Sequence, residues 1–254
     1  SDVCSSDLLW GPQPAQKKYY DAVLIGGGLH NLATAYYLAK EHGMRNIAVV
    51  EKRFIGFGGA GRNTAIVRAN QRTQENVPLY KEALDLWPQL TKELDFNLMF
   101  NNCGNVNLMH SEAAMKAARM NVSTAQFLGV ESHVLDAKQT KELVPPLNLS
   151  QDITHPIHGS MYHPPGGILR HDAVVWGLAK GAAGLGVDIL QQTEAEGITT
   201  SQGKVTGVQT SRGNISTPRV LVSAGGYSSG IISHMLGLKL PISVLTIQAM
   251  VTQP

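Results

Sequence analysis

Residues 21–52 constrain this chain more than any other stretch. An apolar run, Ala22-Val-Leu-Ile25, enters a glycine turn, Gly26-Gly-Gly28. A helical pattern leaves the turn at Leu29, and a second apolar run, Ile47-Ala-Val-Val50, ends in the acid Glu51. Strand, turn, helix, strand and acid in that order read as a βαβ unit that binds an adenine dinucleotide. Gly26 lets the chain turn tightly, and Gly28 lets a pyrophosphate approach the backbone at the positive end of a helix. Glu51 falls where an acid can accept hydrogen bonds from ribose hydroxyls. The third glycine of the usual pattern is replaced by Asn31, which is expected to loosen the packing of the helix on the strand or to tilt the helix. The alternative is an ordinary glycine-rich turn in an α/β protein.

The chain has 254 residues, enough for a sizeable core and one or two domains. With 43% hydrophobic and 16% charged residues, the default class is a soluble globular protein. A net charge of +2 makes no case for nucleic acid or an acidic membrane surface. No apolar stretch approaches membrane-spanning length. The two cysteines, Cys4 and Cys103, form neither a disulfide framework nor a zinc cluster, which fits a reducing compartment and a cytoplasmic location. Residues 1–8 read as translated adaptor DNA, so residues 1–18 are set aside as a non-native leader. The other end stops at Thr252-Gln-Pro254 just after an apolar run, which suggests a fragment.

Further along, 29–41 reads as a helix stopped by Gly43. A glycine-rich loop, 55–61, leads into Arg62-Asn63-Thr64. Residues 77–94 carry apolar side chains at helical spacing, with Pro88 as a kink. Residues 98–100 and 106–109 read as strands around an Asn-Cys-Gly-Asn turn, and 111–128 as a helix. Asp136 with Gln139 forms a capping box for a short helix. Residues 160–162 form a short strand, 172–183 a helix and 187–190 a buried strand. Residues 194–200 and 204–210 form a hairpin, and 220–223 is a last buried strand before Ala224-Gly225-Gly226. The strands at 187–190 and 220–223 are expected to join the parallel sheet of the βαβ unit, with the hairpin as a small antiparallel flap. Ligands of such sheets sit beyond the carboxyl ends of the strands, where Gly26, Glu51, Ala195 and Gly225 all fall.

Several blocks resemble one family: Gly-Gly-Gly-Leu-His-Asn-Leu-Ala-Thr-Ala-Tyr-Tyr-Leu-Ala-Lys at 26–40, Gly61-Arg-Asn-Thr-Ala-Ile-Val-Arg68, and Pro165-Gly-Gly-Ile-Leu-Arg-His171-Asp-Ala-Val-Val-Trp176. Lys204-Val-Thr-Gly-Val208 and residues 241–250 add to it. The chain is similar to the D-amino acid oxidase and glycine oxidase-like FAD-dependent oxidoreductases, in the branch of the heterotetrameric sarcosine oxidase β subunits. The resemblance runs from about Leu9 to the end, and the family chain continues beyond Pro254. Asn31 and Leu29 depart from its pattern, which has Gly at the first and often at the second.

The resemblance implies an α/β fold. A Rossmann-like parallel sheet that binds FAD, with its flap, takes residues 19–82 and 152–230. Part of an antiparallel-sheet substrate domain takes 83–151 and 231–254. It implies that the FAD pyrophosphate lies over Gly26, Gly28, Leu29 and His30, with the ribose on Glu51 and Lys52 flanking the adenine. Gly59, Arg62, Asn63 and Thr64 would contact the diphosphate or the isoalloxazine ring, although Arg62 by itself reads equally as a solvated loop charge. Ala195 matches the position whose backbone meets the adenine, and Gly225 lets the chain pass close to the cofactor. Arg68 matches the arginine that holds the amino-acid carboxylate, for which a guanidinium fork is suited; its other reading is a surface salt bridge. His171 matches the histidine that carries a covalent FMN, where a neutral imidazole nitrogen serves as nucleophile. Its other reading is a capping contact at a helix start. Arg170 would pair with the FMN phosphate and Asp172 would orient the ring.

The activity so implied is oxidation of a secondary amino acid, sarcosine, to glycine, with hydrogen peroxide and formaldehyde or methylene-tetrahydrofolate as the other products. Its partners would be the alpha, gamma and delta sarcosine oxidase subunits, with no nucleic acid, membrane or metal. Two other readings stay open: a single-FAD D-amino acid or glycine oxidase or dehydrogenase, and a non-catalytic FAD-bearing scaffold subunit.

Overall fold

The computed structural model describes residues 13–71, 73–245 and 248. Residues 1–8 of the expected leader, with Cys4, and the closing residues 252–254 lie outside these. The chain divides into two compact units. The first holds the described residues up to 64, then 94–96 and those from 171 onward; the second holds 65–93 and 97–170.

The first unit is built on a four-stranded parallel sheet. Its strands are β1 (Ala22–Ile25), β2 (Ile47–Val50), β8 (Asp188–Leu190) and β12 (Val220–Val222), in the spatial order β12-β1-β2-β8. Every residue of β1 and β2 is buried, as expected of parallel strands covered on both faces. An antiparallel flap of β9 (Ala195–Ser201), β10 (Lys204–Thr210) and β11 (Gly213–Ser216) covers one face. Its Ile198, Val208 and Ile215 share a core with Tyr20, Val23, Ile25, Ala48, Val50 and Leu190. Helix α6 (Ser228–Leu236) adds Met235 and Leu236 to that core. Strand side chains alternate, so Leu24, Val49 and Ile189 serve the other face, where α1 (Leu29–His42) and α5 (His171–Gly184) lie. Gly181 lets these two helices approach: a Cβ there would meet Leu94 Cδ2 at 2.7 Å and Tyr36 Cε2 at 3.0 Å.

The strands at 187–190 and 220–223 join the parallel sheet and the hairpin forms the flap as expected, with β11 as an unforeseen third flap strand. Two expectations are corrected. Residues 13–18 are no loose leader: the Gln13 amide donates to Gln191 O (2.9 Å), Lys17 pairs with Asp188 (2.7 Å), and Ser216 N–H donates to Lys18 O (2.9 Å). Asn31 does not loosen α1. It is fully buried, and its Nδ2 donates to both Ile25 O and Gly26 O at 2.8 Å, fastening the first turn of the helix to the end of β1.

The second unit has a three-stranded antiparallel sheet, with β6 (Gly159–His163) between β4 (Asn105–Met109) and β5 (His133–Asp136). A short ribbon pairs β3 (Ile66–Val67) with β7 (Gly167–Ile168). Helices α2 (Val77–Glu93), α3 (Glu112–Phe127) and α4 (Ala137–Leu143) complete it, α2 running through Pro88. Ser111 caps α3 by accepting from Ala114 N–H, and Asp136 with Gln139 forms the expected capping box on α4. Val77 and Leu84 of α2 meet Ala125 of α3 with Ala69 and Val130 in one core. Ala118 and Val122 of α3 meet Met161 of β6 in another.

Residues 98–100 are not a strand. Met99 takes a left-handed φ of 53°, which breaks the extension, and the pairing at this point is a single bridge from Asn101 to Ile168. The units also part at 64/65 and 170/171 rather than at 82/83 and 151/152, because β3 and β7 tie 65–68 and 166–170 together. Residues 231–236, assigned by sequence to the substrate domain, belong to α6 in the first unit.

Replacing Asn31 by Ala removes both carbonyl contacts and is expected to cost about 1–3 kcal/mol of stability. Urea unfolding of the two proteins side by side measures it.

Candidate functional site

The glycine turn is shaped by its neighbours. Gly26 has φ +112°, and a Cβ there would lie 2.7 Å from Ser223 O at the end of β12. A Cβ on Gly27 would strike Glu51 Cβ at 2.8 Å and Cγ at 2.9 Å. Gly28, the N-cap of α1, is different: the nearest atom to a Cβ is Ala60 Cβ at 4.0 Å. The first two glycines are thus demanded by the protein's own atoms, whereas the space before the third is open. The first turn of α1 carries no acidic side chain, and its leading N–H groups have no helical acceptor. Leu29 is half-buried and His30 exposed at this end of the helix. An open cradle of amides at a positive helix terminus fits a pyrophosphate.

Glu51 is bonded within the protein through both of its carboxylate oxygens. Its Oε2 accepts from Gly27 N–H (2.8 Å) and its Oε1 from Arg53 N–H (2.9 Å), so it ties β2 to the turn. A carboxylate has about four acceptor positions, which leaves two for ribose hydroxyls. Nearby, Lys52 Nζ stands 5.5 Å from the centre of the exposed Tyr227 ring. Gly225 opens the 3₁₀ turn Gly225–Tyr227 with a left-handed φ of 58°. Ala195 opens β9 opposite Thr210. Gly26, Gly28, Leu29, His30, Glu51, Lys52, Ala195 and Gly225 therefore gather beyond the carboxyl ends of the parallel strands.

Gly59 begins the 3₁₀ turn Gly59–Gly61 next to this group. Asn63 points its amide back into that turn, donating to Gly59 O (2.9 Å) and Ala60 O (2.8 Å). Thr64 is exposed at the end of this stretch. Arg62 and Arg53 both lay their guanidinium groups against the Phe57 ring, at 4.3 and 4.4 Å. Arg62 and Phe57, together with His171, belong to a cavity of about 360 Å³ lined also by Phe54, Asp172, Val175 and Trp176. His171, the first residue of α5, places Nε2 3.0 Å from Gly61 O. A carbonyl only accepts, so Nε2 carries the proton and a neutral ring keeps its lone pair on Nδ1. Asp172 Oδ1 accepts from Ala173 N–H (2.9 Å).

The aromatic lining was not foreseen. One signal was present: Val175 lies four residues after His171, on the same face of α5. Gly56 (φ +75°) passes Val175 closely, since a Cβ there would meet Val175 Cγ1 at 3.3 Å.

Arg68 belongs to the second unit, directly after β3. It is half-buried, and its Nη1 donates to Asn70 O at 3.3 Å and lies 3.5 Å from Asn70 Oδ1. Close by is a residue given no role in the sequence reading. His163 is fully buried, with Nδ1 2.6 Å from Glu131 O and Nε2 receiving Ala69 N–H at 3.2 Å.

The chain is 41% identical to sarcosine oxidase subunit beta from Arthrobacter sp over 247 residues, 97% of this chain and 60% of that protein. It is 42% identical to the protein of the same name from Rhizobium meliloti, over 96% of this chain and 59% of that one. It thus spans about 60% of the length of the curated relatives it matches. Among solved structures, L-proline dehydrogenase from P. horikoshii superposes with a TM-score of 0.81 at 27% identity, covering 90% of this chain and 58% of that one. Residues 21–254 match the family described as FAD dependent oxidoreductase, and the chain belongs to that family.

Proposed function

We propose that this chain is the flavin-binding part of a sarcosine oxidase β subunit, acting in a complex with alpha, gamma and delta subunits. The observation that carries the reading is the 41% identity to the Arthrobacter protein over 97% of the chain, which takes in every candidate site residue. In this reading the first unit binds FAD and the second supplies substrate contacts. The reaction is oxidation of the N-methyl group of sarcosine, yielding glycine, hydrogen peroxide and formaldehyde or methylene-tetrahydrofolate. An exposed free cysteine, Cys103, fits the reducing, cytoplasmic setting that belongs to the proposal.

The chain's own residues have separate tasks. The open N–H groups at Gly28, Leu29 and His30 receive the FAD pyrophosphate, and Glu51 takes the ribose hydroxyls with its unused lone pairs. Lys52, Ala195 and Gly225 border the adenine side, and Gly59, Arg62, Asn63 and Thr64 the diphosphate or ring side. Arg68 holds the substrate carboxylate with its guanidinium fork. The cavity at His171 is apolar on the side of Phe54, Phe57, Val175 and Trp176 and cationic at Arg62, which suits a flat aromatic ring system bearing a phosphate. The free Nδ1 lone pair of His171 suits attachment of an FMN there. Bound FAD supplies two-electron oxidation of the amine, and FMN supplies transfer of those electrons to oxygen; the protein positions both and sets their electrostatic surroundings.

A second reading is a single-FAD amino-acid oxidase or dehydrogenase. The likeness to L-proline dehydrogenase at 27% identity favours it.

Two measurements test the proposal, and the second separates the two readings. In the complete, flavin-loaded complex, Arg68→Ala is expected to raise KM for sarcosine about 10- to 100-fold, the loss of one charge-assisted contact to a carboxylate. An unchanged KM removes Arg68 from the site. Acid precipitation of the complex, digestion, and mass spectrometry of the peptide containing His171 are expected to give a mass increase of one FMN on that residue. An unmodified peptide with all flavin in the supernatant removes the FMN role and favours the single-FAD reading.

A further inference from the structure

Arg68 has a support beneath it that the reading above leaves unused. His163 is the last residue of β6, the central strand of its sheet, and stands opposite Asn105 on β4. The ring is fully buried and clamped from two sides. Glu131 O can only accept, so Nδ1 carries the proton of the 2.6 Å contact. Ala69 N–H can only donate, so Nε2 is the acceptor at 3.2 Å. These two bonds together select one neutral tautomer. The backbone that His163 grips is the single residue between Arg68 and Asn70. Asn70 is only 2% exposed, and its carbonyl accepts from the Arg68 guanidinium. The ribbon of β3 and β7 holds the same segment from the other end, with Leu169 N–H donating to Ala65 O. Little room is left for the ring to move: a Cβ on Gly166 would touch His163 Cδ2 at 3.0 Å.

We propose that His163 is a positioning residue for Arg68: by accepting the Ala69 N–H it fixes the backbone between Arg68 and Asn70, and so sets where the guanidinium meets a carboxylate ligand. The proposal rests on the reading of Arg68 as the carboxylate holder. It carries a pH consequence. The charged groups facing the ring are Arg68 and Glu131, whose carboxylate is paired with His133. Burial first, and the Arg68 charge last, lower the His163 pKa from 6.5, against an opposite pull from Glu131. A proton on Nε2 would face the Ala69 N–H donor and release the segment. The unfolded chain takes up this proton first, so the stability that the neutral ring contributes is full above pH 6.5 and falls as the pH drops below it, whereas the grip on the carboxylate follows the folded ring and is lost only as the pH passes through its lowered pKa.

The test uses the complete FAD-loaded enzyme with its partner subunits. Its readouts are KM and kcat for sarcosine, and the dissociation constant of formate followed by flavin absorbance. His163→Asn keeps a donor for Glu131 O but loses the acceptor for Ala69. It is expected to raise KM and the formate constant about tenfold while kcat moves less than about threefold. His163→Gln, which restores an acceptor at the Nε2 position, recovers the greater part of that loss. In the unaltered enzyme the formate constant rises as the pH is lowered through the folded pKa of His163, which lies below 6.5, and in His163→Gln it shows no such rise. Equal constants in His163→Asn and the unaltered enzyme, or an equal loss in His163→Gln and His163→Asn, overturn the proposal. If His163→Asn does not fold, His163→Ser, which also lacks the Nε2 acceptor, takes its place in the same comparison. Arg68→Ala separates the two layers. If it raises KM while the His163 readouts stay still, only the positioning role falls; if it leaves KM unchanged, the reading of Arg68 falls and this one with it.

Discussion

The first unit depends on how closely three pieces of backbone meet at the end of β1. Gly26 adopts φ +112° with Ser223 O where a side chain would begin, and its N–H donates to Val50 O at 2.8 Å. One residue later Glu51 reaches across to the Gly27 amide. Asn31 then closes the turn from the helix side by holding Ile25 O and Gly26 O. β1, β2, β12 and the start of α1 are thereby joined within a few ångströms. The open amides at Gly28 are a by-product of that junction: the chain must turn so tightly that the helix begins with its donors facing outward.

Asn31 shows how one physical requirement can be met in two ways. A glycine at this position serves helix–strand packing by being small. An asparagine occupies volume, yet here its amide supplies two hydrogen bonds that a glycine lacks. The cost is a buried Oδ1 with no partner among the described residues. The same logic of short reach and strict donor and acceptor roles governs the second unit, where His163 accepts one hydrogen bond from the main chain and donates one to it.

Much of this was legible in the sequence. The parallel strands announced themselves as unbroken apolar runs because both of their faces are covered, and α1, α3 and α4 by their stop and cap residues. The short strands were not: β3 and β7 have two residues each, too few to show any period, and β5 shows no alternation, with two half-buried residues between two exposed ones. Residues 98–100 had strand-like composition, but a positive φ at Met99 depends on what surrounds it. Among the candidate site residues, the glycine turn and the place of Glu51 at the end of β2 were readable because they fall at fixed spacing. Phe54, Phe57 and Trp176 were not, since a cavity is made by segments more than a hundred residues apart.

By itself the sequence determined the βαβ unit, the order in which later strands return to it, and the positions where only glycine or an acid serves. These follow from local rules: steric limits on φ, hydrophobic period, and the reach of a side chain within one turn. The tertiary structure alone decided that Glu51 braces the turn, that His171 donates to Gly61, and that His163 grips the residue beside Arg68. Each of these is a hydrogen bond across a long stretch of chain. Whether such a bond forms depends on distances of a few tenths of an ångström, set by packing that no local pattern encodes.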